Sequence, residues 1–265
     1  MEVYGLIGHP VGHSLSPVMH NAGFAAIGRD ASYVTFEPPR DGAVRAIRAA
    51  DTLGISGLNV TIPFKEGVME AVRPDPIAAR VGAVNTVVFG EQEPSGHNTD
   101  IEGALAALER HNVEVRGADA VLVGAGGAGR AIAYGLVEGG ATVSIVNRTE
   151  SRADALAAEL DVAGYGLDAL ERLLPAADLL INATSVGMES DRSPVPRDVL
   201  HSELTVMDAV YRPLETRLLQ DAAAVGAKPI DGAWMLLFQG TAAFERWTGV
   251  DAPVDAMNEA LREAL

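Results

Sequence analysis

The sequence predicts an α/β protein of two domains, the second of which is built on a doubly wound sheet. Short apolar runs alternate with helical patterns over the first hundred residues, and the same alternation starts again after a glycine-rich turn near residue 124. The chain of 265 residues is long enough for two modest domains and shows no low-complexity linker. We expect a substrate domain at 1–101, completed by C-terminal helices at 235–265, and a second domain at 102–234, with a cleft between them.

The first domain is predicted from apolar patterns in the order that an α/β layer requires. Ser16 is a good N-cap and Pro17 a good first helical residue, so a helix is expected to begin there. The alternation favours largely parallel strands. The strands are predicted at 3–7, 32–36, 55–62 and 83–89, and further helices at 44–50 and 101–112.

The second domain is predicted from short apolar strands that alternate with Ala- and Leu-rich helical segments. This order is typical of a doubly wound parallel sheet. The strands are expected at 120–123, 142–146, 178–182, 205–210 and 227–230, and two helices at 235–247 and 253–265 end the chain.

Composition restricts the class of protein. The formal net charge of −16 argues against nucleic-acid or anionic-membrane partners. There is no cysteine, no basic leader and no apolar run of transmembrane length, which predicts a cytoplasmic protein. Lys65 and Lys228 are the only lysines. The excess of acidic residues indicates either a surface adapted to high salt or the bias of a GC-rich genome.

A glycine-rich turn follows the strand at 120–123. Gly124, Gly126 and Gly129 form G-x-G-x-x-G, which allows a tight turn, approach of a pyrophosphate to the backbone, and close packing of helix on strand. The N-terminus of that helix would offer free N–H donors to the phosphates. The strand–turn–helix context favours a Rossmann dinucleotide site over an ordinary tight turn.

The next strand ends in the segment that selects the cofactor. An NAD enzyme usually carries an acidic residue there to bind the ribose 2′-hydroxyl. This chain instead has Asn147 and Arg148, with Thr149 and Arg152 nearby, which suits a 2′-phosphate. The segment therefore predicts NADP. The loop 182–188 follows a later strand where a nicotinamide ring would lie, but alone it is an ordinary loop.

Two serines near the N-terminus form a candidate anion site. Ser14 and Ser16 would place two hydroxyls beside a helix N-terminus, although a capped turn explains the same pattern. His9, His13 and His20 suggest a metal, but no acidic residue has a ligand-like spacing, so packing or hydrogen-bonding roles are favoured.

Polar residues also end the strands of the first domain. Asn59 and Thr61 are expected on the face opposite Leu58, Val60 and Ile62, and Pro63 would end the strand and bring Lys65 to its carboxyl end. A solvated lysine is the alternative. The segments 82–86 and 96–100 place amide and hydroxyl side chains at the ends of secondary-structure elements, which suits the binding of a polyhydroxylated ligand. Asp100 also suits the cap of the helix after it.

Together these motifs resemble the shikimate dehydrogenase family, over nearly the whole chain from Gly8 to Gly249. The resemblance is carried by strings in a fixed order: HSLSP, LNVTIPFK, GAVNT, NTD, GAGGAGRA, NRT, NATSVGM and GAWMLLFQG. It implies NADPH-dependent reduction of 3-dehydroshikimate to shikimate, in the shikimate pathway of aromatic amino-acid biosynthesis. One departure is the segment 73–76, which puts any cofactor contact from that loop in doubt.

The resemblance also implies roles for individual residues. Lys65 and Asp100 match the family's catalytic pair. The residues that match its substrate-binding groups are Ser14, Ser16, Asn59, Thr61, Asn85, Tyr211 and Gln239. The residues that match its cofactor-binding segments are Gly124, Ala125, Gly126, Gly127, Ala128, Asn147, Arg148, Thr149, Arg152, Thr184, Ser185, Ala209 and Gly232.

The chemistry agrees with these roles. Hydride addition to a ketone builds negative charge on oxygen, and the Lys65 ammonium could stabilise that charge and supply the proton. The alternatives are an NAD-dependent quinate/shikimate dehydrogenase, against which Arg148 argues, and a dinucleotide-sensing binding protein without turnover. The sequence does not determine the oligomeric state, and a homodimer is one assembly open to it.

Overall fold

The computed structural model describes residues 1–90 and 92–265, which divide into two compact units. The first unit contains 1–100 and 239–264, and the second contains 101–238 and residue 265. The chain therefore passes into the second unit directly after Asp100 and returns to the first at Gln239.

The first unit is a six-stranded sheet with helices, in the strand order β2-β1-β3-β5-β6-β4. Its strands are β1 (Glu2–Ile7), β2 (Ala31–Phe36), β3 (Gly57–Val60), β4 (Arg73–Pro74), β5 (Thr86–Val88) and β6 (Ser95–His97). Its helices are α1 (Ser16–Ala26), α2 (Ala43–Thr52), α3 (Pro76–Val81), the start of α4 (Asp100–Arg110), the end of α9 (Gly232–Thr248) and α10 (Val254–Glu263).

The expectation of largely parallel strands holds for only part of this sheet. β2, β1 and β3 are parallel, and so are β4 and β6, but β5 runs antiparallel to both β3 and β6. The connection from Val88 to Ser95 is too short for the crossover that parallel neighbours need, so β5 and β6 pair antiparallel.

The strand predicted at 55–62 is shorter than expected, because the chain turns at its end. Leu58 and Val60 are buried as predicted, but Ile62 is 73% exposed and does not share their face. The Phe64 N–H donates to the Thr61 carbonyl (2.9 Å), and the Phe64 ring, 2% exposed, enters the core instead. β3 therefore ends at Val60, and Lys65 follows a turn anchored by Phe64.

The start of α1 is displaced by one residue from the prediction. Leu15 is the N-cap, Ser16 is the first helical residue, and no side chain caps this helix. The assignment of Ser16 as N-cap was therefore wrong. The Ser16 hydroxyl is engaged elsewhere, since the Ser14 Oγ donates to it (3.2 Å).

The second unit is an entirely parallel six-stranded sheet in the order β12-β11-β10-β7-β8-β9, which confirms the doubly wound fold. Its strands are β7 (Asp119–Val123), β8 (Thr142–Val146), β9 (Ala163–Tyr165), β10 (Leu179–Asn182), β11 (Thr205–Asp208) and β12 (Lys228–Ile230). Its helices are most of α4, then α5 (Gly127–Glu138), α6 (Glu150–Leu160), α7 (Leu170–Leu173), α8 (Arg217–Ala224) and the start of α9.

The central strand β7 is buried on both faces, as its apolar run predicts. Ala120 and Leu122 pack into one apolar cluster, and Val121 and Val123 pack into another. Sequence reasoning missed β9, because Ala163–Tyr165 is three residues long and carries a glycine at its centre. The ends of the parallel strands then leave the glycine turn and the loops after β8, β10 and β11 at one edge of the sheet.

Candidate active site

Lys65 and Asp100 form a direct ion pair in the first unit. The Lys65 Nζ lies 2.5 Å from the Asp100 Oδ2, and the two side chains are 16% and 8% exposed. Local folding fixes the lysine backbone, since the Lys65 carbonyl accepts from the Val84 N–H (2.8 Å) next to the buried Phe64. The predicted pair is therefore brought together, and Lys65 is not a freely solvated side chain.

Asn85 holds the other oxygen of the Asp100 carboxylate. Its Nδ2 donates to the Asp100 Oδ1 (2.8 Å), while its own Oδ1 accepts from the Thr99 N–H (2.7 Å). The Asp100 N–H also donates to the Asn98 Oδ1 (3.1 Å), and Asp100 is itself the first residue of α4. The carboxylate is thus fixed from two sides before any ligand binds.

Asn59 lies at the end of β3 and is only 4% exposed. Its Nδ2 donates to the Thr86 Oγ1 (3.1 Å) and to the Asn85 carbonyl (3.3 Å), and its Oδ1 accepts from the Tyr33 hydroxyl (2.7 Å). Sequence reasoning missed Tyr33, because it lies within a strand and carries no charge, whereas Thr86 belongs to the predicted polar segment 82–86. Thr61 follows Asn59 by two residues and is half-buried.

The two serines lie side by side at the start of α1. The Ser14 Oγ donates to the Ser16 Oγ and accepts from the Ser16 N–H, both at 3.2 Å. Ser16 is 4% exposed and Ser14 is half-buried. The uncapped start of α1 leaves N–H groups available to an anion beside these hydroxyls.

The three histidines of this region have separate environments. His9 Nδ1 lies 3.5 Å from the Glu37 Oε1, His13 is exposed, and His20 is fully buried with its ring stacked on Tyr33 (4.4 Å between centroids). Burial lowers the pKa of His20 to about 3, so its ring is neutral. No cluster of three or more acidic or histidine side chains suited to a metal occurs within 1–90 and 92–265.

Two further predicted substrate residues lie later in the chain. Tyr211 belongs to the second unit and follows β11 by three residues, and burial raises its pKa above the ordinary value. Gln239 belongs to the first unit and is half-buried within α9.

The glycine turn of the second unit fits a pyrophosphate. Gly124 has φ +118°, which favours glycine, and a Cβ on Gly129 would lie 2.1 Å from the Gly124 carbonyl. Gly126 is exposed, with no heavy atom within 4 Å of its Cβ position. It precedes α5 without a side-chain cap, so the N–H groups of Gly127 and Ala128 remain for a ligand. Ala125 lies within the same turn.

The segment after β8 offers positive charge to a ligand. Arg148, Thr149 and Arg152 are exposed, and neither guanidinium has an ion-pair partner among the described residues. The Asn147 Nδ2 donates to the Thr149 carbonyl (2.9 Å), which shapes the turn. Two arginines free for pairing, in a chain of net charge −16, suit a 2′-phosphate.

Asp208 organises the loop that carries Thr184 and Ser185. It is fully buried at the end of β11 and accepts from the Asn182 Nδ2 (2.8 Å), the Val210 N–H (3.0 Å) and the Thr216 Oγ1 (2.7 Å). Asn182 in turn accepts from the Thr184 hydroxyl (2.7 Å). Sequence reasoning missed Asp208; an aspartate at the end of an apolar strand was the available signal.

Ala209 and Gly232 complete the predicted cofactor residues. The Ala209 N–H donates to the Asn182 carbonyl (2.8 Å), beside the Asp208 network. Gly232 begins α9, and a Cβ there would lie 2.5 Å from the Val210 carbonyl, so only glycine fits.

Comparison with known proteins gives matches along most of the chain. The family described as "Shikimate dehydrogenase substrate binding domain" matches residues 6–87, "Shikimate / quinate 5-dehydrogenase" matches 106–190, and "Shikimate 5'-dehydrogenase C-terminal domain" matches 232–262. The shikimate dehydrogenase (NADP(+)) of Haloarcula marismortui is 65% identical over 100% of both chains. The chain belongs to the shikimate dehydrogenase family.

Solved structures agree with this membership. The shikimate 5-dehydrogenase of Thermus thermophilus, in complex with NADP(H) and shikimate, has a TM-score of 0.94 and is 40% identical over 100% of both chains. The quinate dehydrogenase of Corynebacterium glutamicum, in complex with NAD, has a TM-score of 0.90 at 33% identity over 99% of both chains.

These findings confirm the predicted fold class, the shikimate dehydrogenase resemblance, the oxidoreductase class and the NADP cofactor. Among the described residues, no helix combines the length and the apolar character needed to cross a membrane. The roles of the individual site residues stay predictions.

The buried Asp208 of this shikimate dehydrogenase family member gives a prediction about stability. Burial raises the pKa of its carboxyl to about 6, against the ordinary 3.8, although its three donors oppose that rise. The folded state therefore binds more protons than the unfolded state between these values, so ionisation of Asp208 costs stability as pH rises through them.

Asp208→Asn removes that cost and keeps the shape of the side chain. We expect the free energy of unfolding of Asp208→Asn, relative to the unaltered chain, to rise by about 1–2 kcal/mol from pH 5 to pH 7.5. Urea unfolding at both pH values measures it. The exposed Asp198→Asn serves as the control and should show a constant difference. A constant difference for Asp208→Asn as well would contradict the prediction.

Proposed function

We propose that this chain catalyses the reversible NADPH-dependent reduction of 3-dehydroshikimate to shikimate, with Lys65 and Asp100 as its catalytic residues. The observation that carries the proposal is the ion pair of the partly buried Lys65 and the buried Asp100, 2.5 Å apart, in the turn region after β3. Both residues belong to one unit, and Asn85 holds the carboxylate in place.

Lys65 acts at the carbonyl oxygen of the substrate. As negative charge develops on that oxygen, the ammonium stabilises it and gives up a proton to form the hydroxyl. In the oxidation direction the amine takes that proton back. Asp100 holds the ammonium in position and offers an acceptor for a ring hydroxyl, because its carboxylate is already fixed by Asn85.

The substrate carboxylate binds the Ser14 and Ser16 hydroxyls at the uncapped start of α1. The ring hydroxyls bind Asn59, Thr61, Asn85 and Gln239, and Tyr211 is a further proposed substrate-binding residue. These polar groups suit a small ligand with one carboxylate and several hydroxyls.

NADP supplies or accepts the hydride when it is bound. Its pyrophosphate is held by the N–H groups of the turn Gly124–Ala128, and its 2′-phosphate by Arg148 and Arg152, with Asn147 and Thr149 beside them. Thr184, Ser185, Ala209 and Gly232 flank the nicotinamide. The first unit, 1–100 with 239–264, is then the substrate domain, and 101–238 is the cofactor domain.

The direct test is turnover of the unaltered chain with shikimate and NADP⁺, compared with quinate and with NAD⁺. Efficient oxidation of shikimate with NADP⁺ alone supports the proposal. Preference for quinate and NAD⁺ would favour a quinate dehydrogenase, and cofactor binding without turnover with either substrate would favour a dinucleotide-sensing protein.

Cofactor choice gives a second prediction, at Arg148. Hydrogen bonds to charged groups contribute about 1.5–3 kcal/mol, so Arg148→Ala should raise KM for NADP⁺ at least about tenfold. KM for NAD⁺ should change little, since NAD⁺ lacks the 2′-phosphate. Arg197→Ala removes the same charge from another exposed position of the second unit and should leave both constants unchanged. Equal losses for both cofactors would assign Arg148 a structural role.

We further propose that the protein acts in the cytoplasm, which a chain without cysteine suits. A homodimer is the proposed assembly, and light scattering of the purified chain would show twice the chain mass of 27.6 kDa for a dimer and that mass itself for a monomer.

A further inference from the structure

The side chain of Tyr33 lies against Asn59, which is proposed to contact the substrate. It is 1% exposed, and its hydroxyl donates to the Asn59 Oδ1 (2.7 Å). Burial raises the Tyr33 pKa well above its ordinary value, so the phenol keeps the proton that it donates to Asn59.

The Tyr33 hydroxyl therefore begins a series of hydrogen bonds that ends at the catalytic pair. In this polar chain Asn59 donates to Thr86 (3.1 Å), Thr86 donates to Asn85 (3.0 Å), and Asn85 donates to Asp100 (2.8 Å). Every donor points the same way, toward the Asp100 carboxylate, and bonds in such a series strengthen one another. The members in order are Tyr33, Asn59, Thr86, Asn85, Asp100 and Lys65.

Tyr33 donates a hydrogen bond to the Asn59 Oδ1 (2.7 Å) and so holds the oxygen side of this amide. The nitrogen side is held by the Thr86 Oγ1 (3.1 Å) and by the Asn85 carbonyl (3.3 Å), which can only accept. The Thr86 hydroxyl can donate or accept, so it would tolerate either orientation of the amide. Without the Tyr33 donor the buried Oδ1 loses this partner, and the orientation of the amide depends on the longer bond to the Asn85 carbonyl.

We propose that Tyr33 is a positioning residue for shikimate, which holds the Asn59 amide in place through its hydroxyl group. The inference rests on the function proposed above. Tyr33 touches neither the reacting atoms nor the cofactor, and its ring is held by stacking on His20 (4.4 Å between centroids).

Tyr33→Phe tests this by removing one oxygen and keeping the ring and its stack. Loss of a buried hydrogen-bond donor should raise KM for shikimate about tenfold, with KM for NADP⁺ within about twofold of the unaltered chain. The matched control is Tyr4→Phe. Tyr4 is also 1% exposed and contacts the same Trp247 ring, but its hydroxyl donates to Glu2 (2.6 Å), outside the polar chain. Tyr4→Phe should leave both KM values unchanged.

A double-mutant cycle separates positioning from stability. Asn59→Ala alone should raise KM for shikimate, and adding Tyr33→Phe should raise it by less than the product of the two single effects, because Tyr33 acts through Asn59. Melting temperatures of all four chains show whether the variants fold. If Tyr33→Phe does not fold, Thr86→Val breaks the same chain on the other side of Asn59 and should raise the same KM about tenfold.

Some outcomes would overturn the inference. An unchanged KM for shikimate in Tyr33→Phe and Thr86→Val, with turnover normal in the unaltered chain, would overturn the positioning role alone. So would independent effects of Tyr33→Phe and Asn59→Ala. Absence of turnover by the unaltered chain would overturn the proposed function and this inference with it.

Discussion

Lys65→Met is expected to lower kcat for shikimate oxidation by about 10²–10⁴-fold, because it removes the group that transfers the proton. The methionine side chain is similar in length but carries no charge, so packing next to the buried Phe64 should be kept. KM for shikimate should change modestly, as expected for an interaction made mainly in the transition state. Steady-state kinetics with saturating NADP⁺ measure both constants.

Lys228→Met is the matched control, since Lys228 is the only other lysine of the chain. Lys228 is exposed in the second unit, where its Nζ donates to the His111 carbonyl, and its replacement should leave kcat unchanged. A kcat within about threefold of the unaltered chain in Lys65→Met would contradict a catalytic lysine.

Asp100→Asn should also lower kcat. The double variant of Lys65→Met and Asp100→Asn should have a kcat little lower than that of the poorer single variant.

His20→Phe is expected to make the fold much less sensitive to acid. Burial holds the pKa of His20 at about 3, against the ordinary 6.5. The unfolded state therefore binds more protons than the folded state between these values, so the stability present above pH 6.5 is lost as pH falls. One pKa unit corresponds to about 1.4 kcal/mol, so this residue alone should cost the chain about 3 kcal/mol from about pH 7 to pH 4.5.

The surroundings of His20 provide no charge that would offset this loss. Its ring packs against Tyr33 of β2 and against Phe244 and Trp247 of α9, all neutral at these pH values. Phenylalanine at position 20 keeps an aromatic ring in that cluster and cannot be protonated.

Urea unfolding at pH 7 and pH 4.5 measures the difference between His20→Phe and the unaltered chain. The stability of His20→Phe relative to the unaltered chain should rise by about 3 kcal/mol at the lower pH. His13→Asn, at an exposed histidine of the same region, should show no such rise. A difference that stays constant with pH would mean that His20 reaches solvent and is protonated in the folded state.

The sequence by itself determined the parts of this protein that depend on local chemistry. The glycines of G-x-G-x-x-G mark a turn that only glycine can adopt, as the φ of Gly124 and the crowding at Gly129 show. The apolar runs at 120–123 and 142–146 are long enough to predict buried strands. Lys65 stood out because the chain has only two lysines, and Arg148 because it stands where an NAD enzyme usually carries an acidic residue.

Only the tertiary structure decided which polar groups meet. Lys65 and Asp100 are 35 residues apart in sequence, and Tyr33 and Asn59 are 26 apart, so their hydrogen bonds depend on the pairing of β1, β2, β3 and β5. Sequence patterns indicate whether a single residue favours solvent or the core, and which backbone conformation it favours. They do not report that a buried tyrosine or aspartate has found a partner, and for that reason Tyr33 and Asp208 were missed.

The same distinction explains the errors in the first unit. Alternation of strands and helices predicts a parallel sheet, but whether a strand reverses depends on the length of its connection and on the edge at which it joins, as with β5. Strand alternation predicted Ile62 on the same face as Leu58 and Val60, but the chain turns after Val60, so Ile62 is exposed and Phe64 is buried instead. The order of the elements is thus a property of the sequence, whereas the network that orients the candidate catalytic pair exists only once the sheet has formed.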